Sequence, residues 1–334
     1  MRLFTRLSLV LMALLSGPVS ASLAAELELI PFNTSNQNPL VAIYGLPPAG
    51  PATVLAPGRI SAELRADLAS NFTDDSEADE SVLLDGETYR YTLALKYGFG
   101  ERLEVGLEIP YAMHRGGSFD SFIIDWHDFF QLPQGGRDDA PRDRLAYTYD
   151  KDGRTLVALH DEDEGFGDLR LTGAWQLLPP EGDEPRALAL RASLKLPTGD
   201  EDRLLGSGST DFALWLSGAQ SFRKGSLALF GAAGALLMSD SDVLSDQQRP
   251  VVVFGTLGGG WRPLSWLAFK AQVDGHTSFY RGSDLQQLSE SLQLVIGGTL
   301  GLTESMALDL AVTEDIVVDS ASDVVFHLAL RKTF

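Results

Sequence analysis

The chain has no cysteine among its 334 residues, which removes disulfides, thiolate chemistry and any lipoprotein attachment site. It also lacks an apolar run long enough to cross a membrane as a helix. The longest, Leu7 to Leu15, falls well short of the roughly 20 residues such a span needs. Basic residues are scarce, 26 Lys and Arg against 46 Asp and Glu, for a net charge of −20. Nucleic acid is therefore not an expected partner. Histidine is scarce as well: His114, His127, His160, His276 and His327 are the full set. No pair of them has zinc-site spacing, and no serine sits in a nucleophile-elbow motif. The expectation is a non-enzyme with no catalytic residues, no metal and no cofactor. A hydrolase whose residues assemble only in space is the lesser alternative.

What the N-terminus does have is Arg2 and Arg6, then Leu7 to Leu15, then small residues around Pro18, the pattern of a cleaved signal peptide over residues 1–25. Cleavage after Ala21, Ala24 or Ala25 fits equally. Removing Arg2 and Arg6 leaves 24 basic residues against 46 acidic ones, a net charge of −22. That acidity serves solubility during export and solvated loops, or a preference for cations in a pore or divalent-ion bridging at a cell surface.

From Arg59 onward the sequence alternates with period two. Ile60, Ala62, Leu64, Ala66 and Leu68 stand against Arg59, Ser61, Glu63, Arg65 and Asp67. Tyr89 to Phe99 and Leu103 to Met113 repeat the pattern, with Arg90, Lys96, Glu104 and Glu108 on the polar face. Nine further candidates are Phe166–Leu178, Arg186–Leu196, Thr210–Phe222, Gly225–Met238, Val251–Arg262, Ser265–His276, Ser289–Leu302, Met306–Glu314 and Val324–Phe334. They add Arg170, Arg191 and Lys195 to the polar face. A sandwich buried on one side would strand too many ionised groups, whereas lipid outside and water inside explains both faces. Mixed-sign ladders of these charges brace a barrel interior.

The links support this reading. Long polar ones (73–86, 114–165, 197–209, 239–250, 277–288, 315–322) alternate with short turns near Gly100, Glu181, Arg223, Pro263 and Thr303. Bacterial barrels have long loops outside and short turns in the periplasm. Tyr97, Phe99 and Tyr111 near one set of strand ends, and Phe222, Trp261 and Trp266 near the short turns, are candidates for aromatic girdles. Val324–Phe334 places Phe326, Leu328, Leu330 and Phe334 on one face, like the assembly signal of outer-membrane barrels. Lys332, on that same face, departs from its apolar pattern, but near the interface a cation costs only about 0–1 kcal/mol.

Two stretches break the alternation. Residues 26–57, rich in Asn, Pro and Gly yet carrying Phe32, Leu40, Ile43, Tyr44 and Leu46, read either as a plug in the periplasmic end or as a flexible tail. In the insertion 114–165, Phe119, Phe122, Ile123, Trp126, Phe129 and Phe130 recur at helical spacing and predict a short amphipathic helix. That helix is a gate or lid with an aromatic wall, or it rests on the barrel rim. Tyr147, Tyr149 and Leu156–Leu159 predict a hairpin beyond the membrane. The acidic runs Asp74–Glu80 and Asp161–Glu164 match no calcium loop and read as solvated charge.

Asn36-Gln37-Asn38-Pro39-Leu40, Tyr44-Gly45-Leu46-Pro47, Gly165-Phe166-Gly167-Asp168-Leu169 and Lys195-Leu196-Pro197-Thr198-Gly199-Asp200 lead on to Gly206-Ser207-Gly208-Ser209-Thr210-Asp211. Together these resemble a family of bacterial outer-membrane proteins, domain of unknown function 3187. The Gly165 and Lys195 sets are also similar to barrels associated with phenol degradation and hydrophobic-compound uptake. The resemblance implies an outer-membrane barrel and hints at transport, and it brings no substrate.

The reading as a whole is an all-β protein: a transmembrane antiparallel up-and-down β-barrel of about twelve strands, ten or fourteen if a hairpin is missed or merged, over residues 58–334. It is expected as a porin-like, monomeric channel for small molecules, apolar ones included, in a Gram-negative outer membrane. Its expected partners are outer-membrane lipids and lipopolysaccharide, and the barrel-assembly machinery through the last strand. A non-transporting structural or surface-interaction barrel is the other alternative.

Overall fold

A computed structural model describes residues 27–117, 143–316 and 320–334. The period-two segments form strands because each turns every second side chain to one medium and the rest to another. The strands are β1 (Ile60–Glu77), β2 (Glu80–Phe99), β3 (Leu103–Arg115), β4 (Ala146–Lys151), β5 (Arg154–Leu159), β6 (Asp163–Phe166), β7 (Arg170–Leu178), β8 (Arg186–Lys195), β9 (Asp211–Phe222), β10 (Leu227–Met238), β11 (Val251–Leu264), β12 (Leu267–His276), β13 (Ser291–Thr303), β14 (Met306–Asp315) and β15 (Val324–Thr333). Twelve of them pair antiparallel with their neighbours, and β1 pairs with β15 from Ser61↔Thr333 to Ser70↔Val324 to close the barrel. The remaining three, β4, β5 and β6, extend the wall at the long-loop end. Helix among the described residues is one 3-10 turn, Gln286–Leu288.

The wall is polar inside and apolar outside. On β8, Ala187, Ala189, Arg191, Ser193 and Lys195 are buried while Leu188, Leu190 and Leu194 are half-buried. Elsewhere Leu257 is 72% exposed and Trp175 58%, exposures that an aqueous surface would penalise and lipid does not.

Every one of the twelve wall strands falls where the alternation places it. The link expected over 73–86 is different. Pairing of β1 with β2 runs unbroken from Ile60↔Tyr97 to Glu77↔Glu80, so the acidic run is a hairpin tip, turned by Ala78 at φ 41°. Beyond the membrane a strand has no lipid face, so it keeps its backbone hydrogen bonds and loses the apolar alternation. β4 and β5 form the hairpin expected around Tyr147 and Leu159, and β4 pairs with the outer part of β2. β3 is shared between β7 at its inner half and β6 at its outer half. The change falls at Pro110, which has no N–H to give and whose carbonyl accepts the Gly167 N–H at 3.0 Å.

An apolar core fills the long-loop end of the barrel, where Leu40 and Tyr44 pack with Tyr149, Leu236, Phe254 and Tyr280. The aromatic girdle needs one correction. Tyr97 and Phe99 end β2 beside the Gly100 turn, at the same end as Trp261 and Trp266, and only Tyr111 lies toward the long loops, edge-on to Phe166 at 5.2 Å. Phe326, Leu328, Leu330 and Phe334 are all at least partly exposed, and Lys332 Nζ sits 5.0 Å from the Phe334 ring centroid.

Candidate functional site: an occupied lumen

Residues 27–57 form no strand, yet they run the length of the barrel and back inside it. Leu27 starts at the short-turn end, its N–H on the Ser265 carbonyl. The chain then climbs beside β12 in two-residue steps. Gln272 Oε1 accepts the Phe32 N–H at 2.8 Å, Thr34 Oγ1 donates to Asp274 at 2.7 Å, and Asn36 Nδ2 lies 2.9 Å from His276 Nε2. Turn residues Pro39 to Tyr44 reverse it under the apolar core, where Tyr280 donates to the Leu40 carbonyl at 2.6 Å. Burial pushes the Tyr280 hydroxyl well above its ordinary pKa, so it remains a donor.

The chain descends on the opposite side. The Gly45 N–H donates to Asp211 at 2.7 Å, Trp215 Nε1 and Ser217 Oγ donate to the Ala49 carbonyl, Arg191 holds the Pro51 and Thr53 carbonyls, and Gln176 donates to Ala52 and accepts from Val54. Leu55 ends on Glu104 at 3.0 Å. A polar backbone loop can lie in the barrel only because inward side chains take up its donors and acceptors in this way.

The polar side chains expected in the lumen converge on that loop. Glu63 accepts from Asn33 and pairs with Arg65, which also pairs with Glu108 at 2.9 Å. Glu108 bridges on to Arg170 at 3.3 Å. Glu104 pairs with Arg191 at 3.2 Å and Lys96 at 3.9 Å. Asp67 Oδ1 lies 2.6 Å from His327 Nδ1, and Arg90 reaches the same central cavity. Arg59 stands apart, exposed at the short-turn mouth. The aromatic gate candidates Phe119, Phe122, Ile123, Trp126, Phe129 and Phe130 lie outside the described residues, as does the signal-peptide stretch 1–25.

The Gly, Ser and Asp punctuation turns out to be one assembly. Lys195 Nζ sits between Asp168 at 2.5 Å and Asp211 at 3.3 Å and donates to Ser207 at 2.6 Å. Asp168 also accepts the N–H groups of Thr198 and Gly199, while Ser207, Ser209 and Asp211 form a chain of hydrogen bonds ending at Gly45. A Cβ on Gly45 would lie 2.8 Å from the Asp211 Cβ and one on Gly206 2.5 Å from Asp168 Oδ1, so glycine is what lets these backbones close in. Sequence reasoning missed Lys270 and Asp309, paired at 3.2 Å with Lys270 over the Phe32 ring. Their alternation with Phe269 and Leu310 was the available signal.

What remains of the lumen is small. Cavities of about 50 and 20 Å³ flank the loop at mid-barrel, and a wider vestibule of about 360 Å³ opens at the short-turn end between Leu27, Leu55, Arg59 and Arg331.

Fold and interior together define a closed twelve-stranded barrel of the outer-membrane type whose lumen is occupied by its own N-terminal loop. The chain belongs to the family described as protein of unknown function (DUF3187), whose model matches residues 7–334. None of the curated proteins matches it. Among solved structures, the COG4313 outer membrane channel from Pseudomonas putida F1 is similar at TM-score 0.57 and 14% identity, covering 85% of this chain and 98% of that one. The KdgM porin (TM-score 0.41, 7% identity, 82% and 99% covered) and the Ralstonia pickettii toluene transporter TbuX (0.39, 11%, 84% and 90%) are more distant. At these identities the likeness is one of fold.

Proposed function

We propose that this protein is a gated, non-enzymatic channel of the outer membrane, exported with residues 1–25 removed, whose closed state is the one described and whose gate is residues 27–57. The observation that carries the reading is the way the loop is held. It contributes no strand to the wall, and it is tied to the wall by individually weak, reversible hydrogen bonds and by the packing of Phe32, Leu40 and Tyr44. Twelve strands about 4.8 Å apart and tilted about 40° close into a cylinder of roughly 12 Å radius at the backbone. Inward side chains reduce that bore to room for the loop or for a small solute. The charged belt left behind favours small polar or amphiphilic molecules over wholly apolar ones.

On this reading the short turns face the periplasm and the long loops the exterior, with the 119–130 stretch as a second, outer lid. Outer-membrane lipid and lipopolysaccharide surround a monomer, and Phe326 to Phe334 present the assembly signal to the barrel-assembly machinery.

The test is conductance of the full-length barrel in planar bilayers beside two variants, one with Asn33–Pro51 replaced by a short Gly/Ser link and one lacking Phe119–Phe130. Heat-dependent gel mobility establishes that each is folded. The loop variant is expected to conduct persistently where the parent is mostly closed. Folded variants that both remain closed would defeat the channel reading.

A further inference from the structure

The mid-barrel cavity of about 50 Å³ is lined by Arg65, Arg90 and Arg170 together with Lys195, Asn33 and Asn36. Its carboxylates are committed elsewhere. Glu108 bridges Arg65 and Arg170, Asp168 holds Lys195 and three backbone N–H groups, and Asp67, cross-strand from Arg90, lies against His327. Arg90 is left over: among the described residues it has neither a hydrogen-bond nor an ion-pair partner, and its Nε is buried without one. Arg65 and Arg170 likewise keep a buried Nε without a hydrogen bond. A guanidinium out of bulk water with no acceptor is costly, and the planar fork it presents fits a carboxylate with two parallel hydrogen bonds. A water needs roughly 10–15 Å³ of such space, so the cavity accommodates a group of about three or four heavy atoms.

We propose that this cavity is a binding site for a carboxylate group, with Arg90 as the ligating guanidinium. The group is a small free carboxylate in the closed barrel and the head of a carboxylic-acid solute when residues 27–57 withdraw. The inference rests on the channel reading only for that second role.

The experiment uses the full-length barrel in detergent with ¹³C-formate as the probe. Saturable line broadening is expected, displaced by acetate and not by chloride at equal ionic strength. Arg90→Gln abolishes it, Arg90→Lys, which keeps the charge and loses the fork, weakens it at least tenfold, and Arg154→Gln, at an exposed position of β5, leaves it unchanged. Absence of saturable broadening in the parent, equal displacement by chloride, or undiminished binding in either Arg90 variant overturns the proposal. If Arg90→Gln does not fold, Arg90→Lys decides. Because binding is read and not passage, a formate site in a barrel that never conducts removes the channel reading alone, and conductance without formate binding removes this one alone.

Discussion

Gly45 offers a way to loosen the loop without touching the wall. Its N–H donates to Asp211 at 2.7 Å, and a Cβ there would lie 2.8 Å from Asp211 Cβ and 3.3 Å from Lys195 Cβ. Asp211 cannot swing aside, because Lys195 and Ser209 hold it. Gly45→Val therefore displaces the loop backbone and breaks a hydrogen bond to a carboxylate, worth about 1.5–3 kcal/mol. With the steric term the seating loses about 2–4 kcal/mol, a shift of roughly 30- to 700-fold in the closed-to-open ratio, since each 1.4 kcal/mol is tenfold. Open probability in planar bilayers should rise accordingly, while heat-dependent gel mobility stays that of the parent, Gly45 being no part of any strand. Gly45→Ala should fall between. A Gly45→Val barrel that is folded and as closed as the parent would refute the argument that this contact seats the loop.

Glu108 is the shared carboxylate of Arg65 and Arg170, so Glu108→Gln should cost about 3–5 kcal/mol in denaturant unfolding from liposomes, the penalty of stranding buried charge. Phe32 is fully buried against Lys270 and edge-on to His327. Phe32→Ala should lose about 3–5 kcal/mol, seen as faster proteolysis within 27–57. At the rim, burial pushes the Glu80 carboxyl up, but hydrogen bonds from Tyr149, the Asp284 N–H, Lys151 and Ser283 outweigh it and leave its pKa below the ordinary value. The tie it makes between the β4–β5 hairpin and the 277–288 loop is thus at full strength above about pH 4.3 and lost as pH falls through the lowered value. Hydrogen exchange in β4 should speed up in that acid range, and Glu80→Gln should remove the pH dependence. Phe334→Ser should reduce the yield of assembled barrel in cells with little change in the purified barrel's melting, since Phe334 is 52% exposed.

The wall was legible because lipid and lumen impose opposite demands on adjacent residues: Leu188 beside Ala189 and Arg191 could be sorted from sequence alone. The rule fails where one medium is missing. The outer halves of β1 and β2 meet water and protein, so residues 73–86 read as a loop although all but the turn at Ala78 and Asp79 is strand. The course of 27–57 was undetermined for a different reason. Its need for burial was visible in Phe32, Leu40 and Tyr44, but partners of Phe32 and Leu40 sit 240 positions away, on β12 and the loop after it. Likewise Gly206 to Asp211 read as turn punctuation. That it wraps Lys195 and anchors Gly45 follows from contacts among three distant segments, which no local spacing encodes.

The closing seam joins the first strand of the wall to the last. The wall is completed only when β15, which follows every other strand, meets β1, while the segment that fills the bore precedes them all. On the channel reading, a barrel that closed around a segment already tethered to its first strand would never be a hollow cylinder waiting to be stopped. The envelope would then be spared an uncontrolled hole at the moment of insertion, and passage would have to begin with an act of opening.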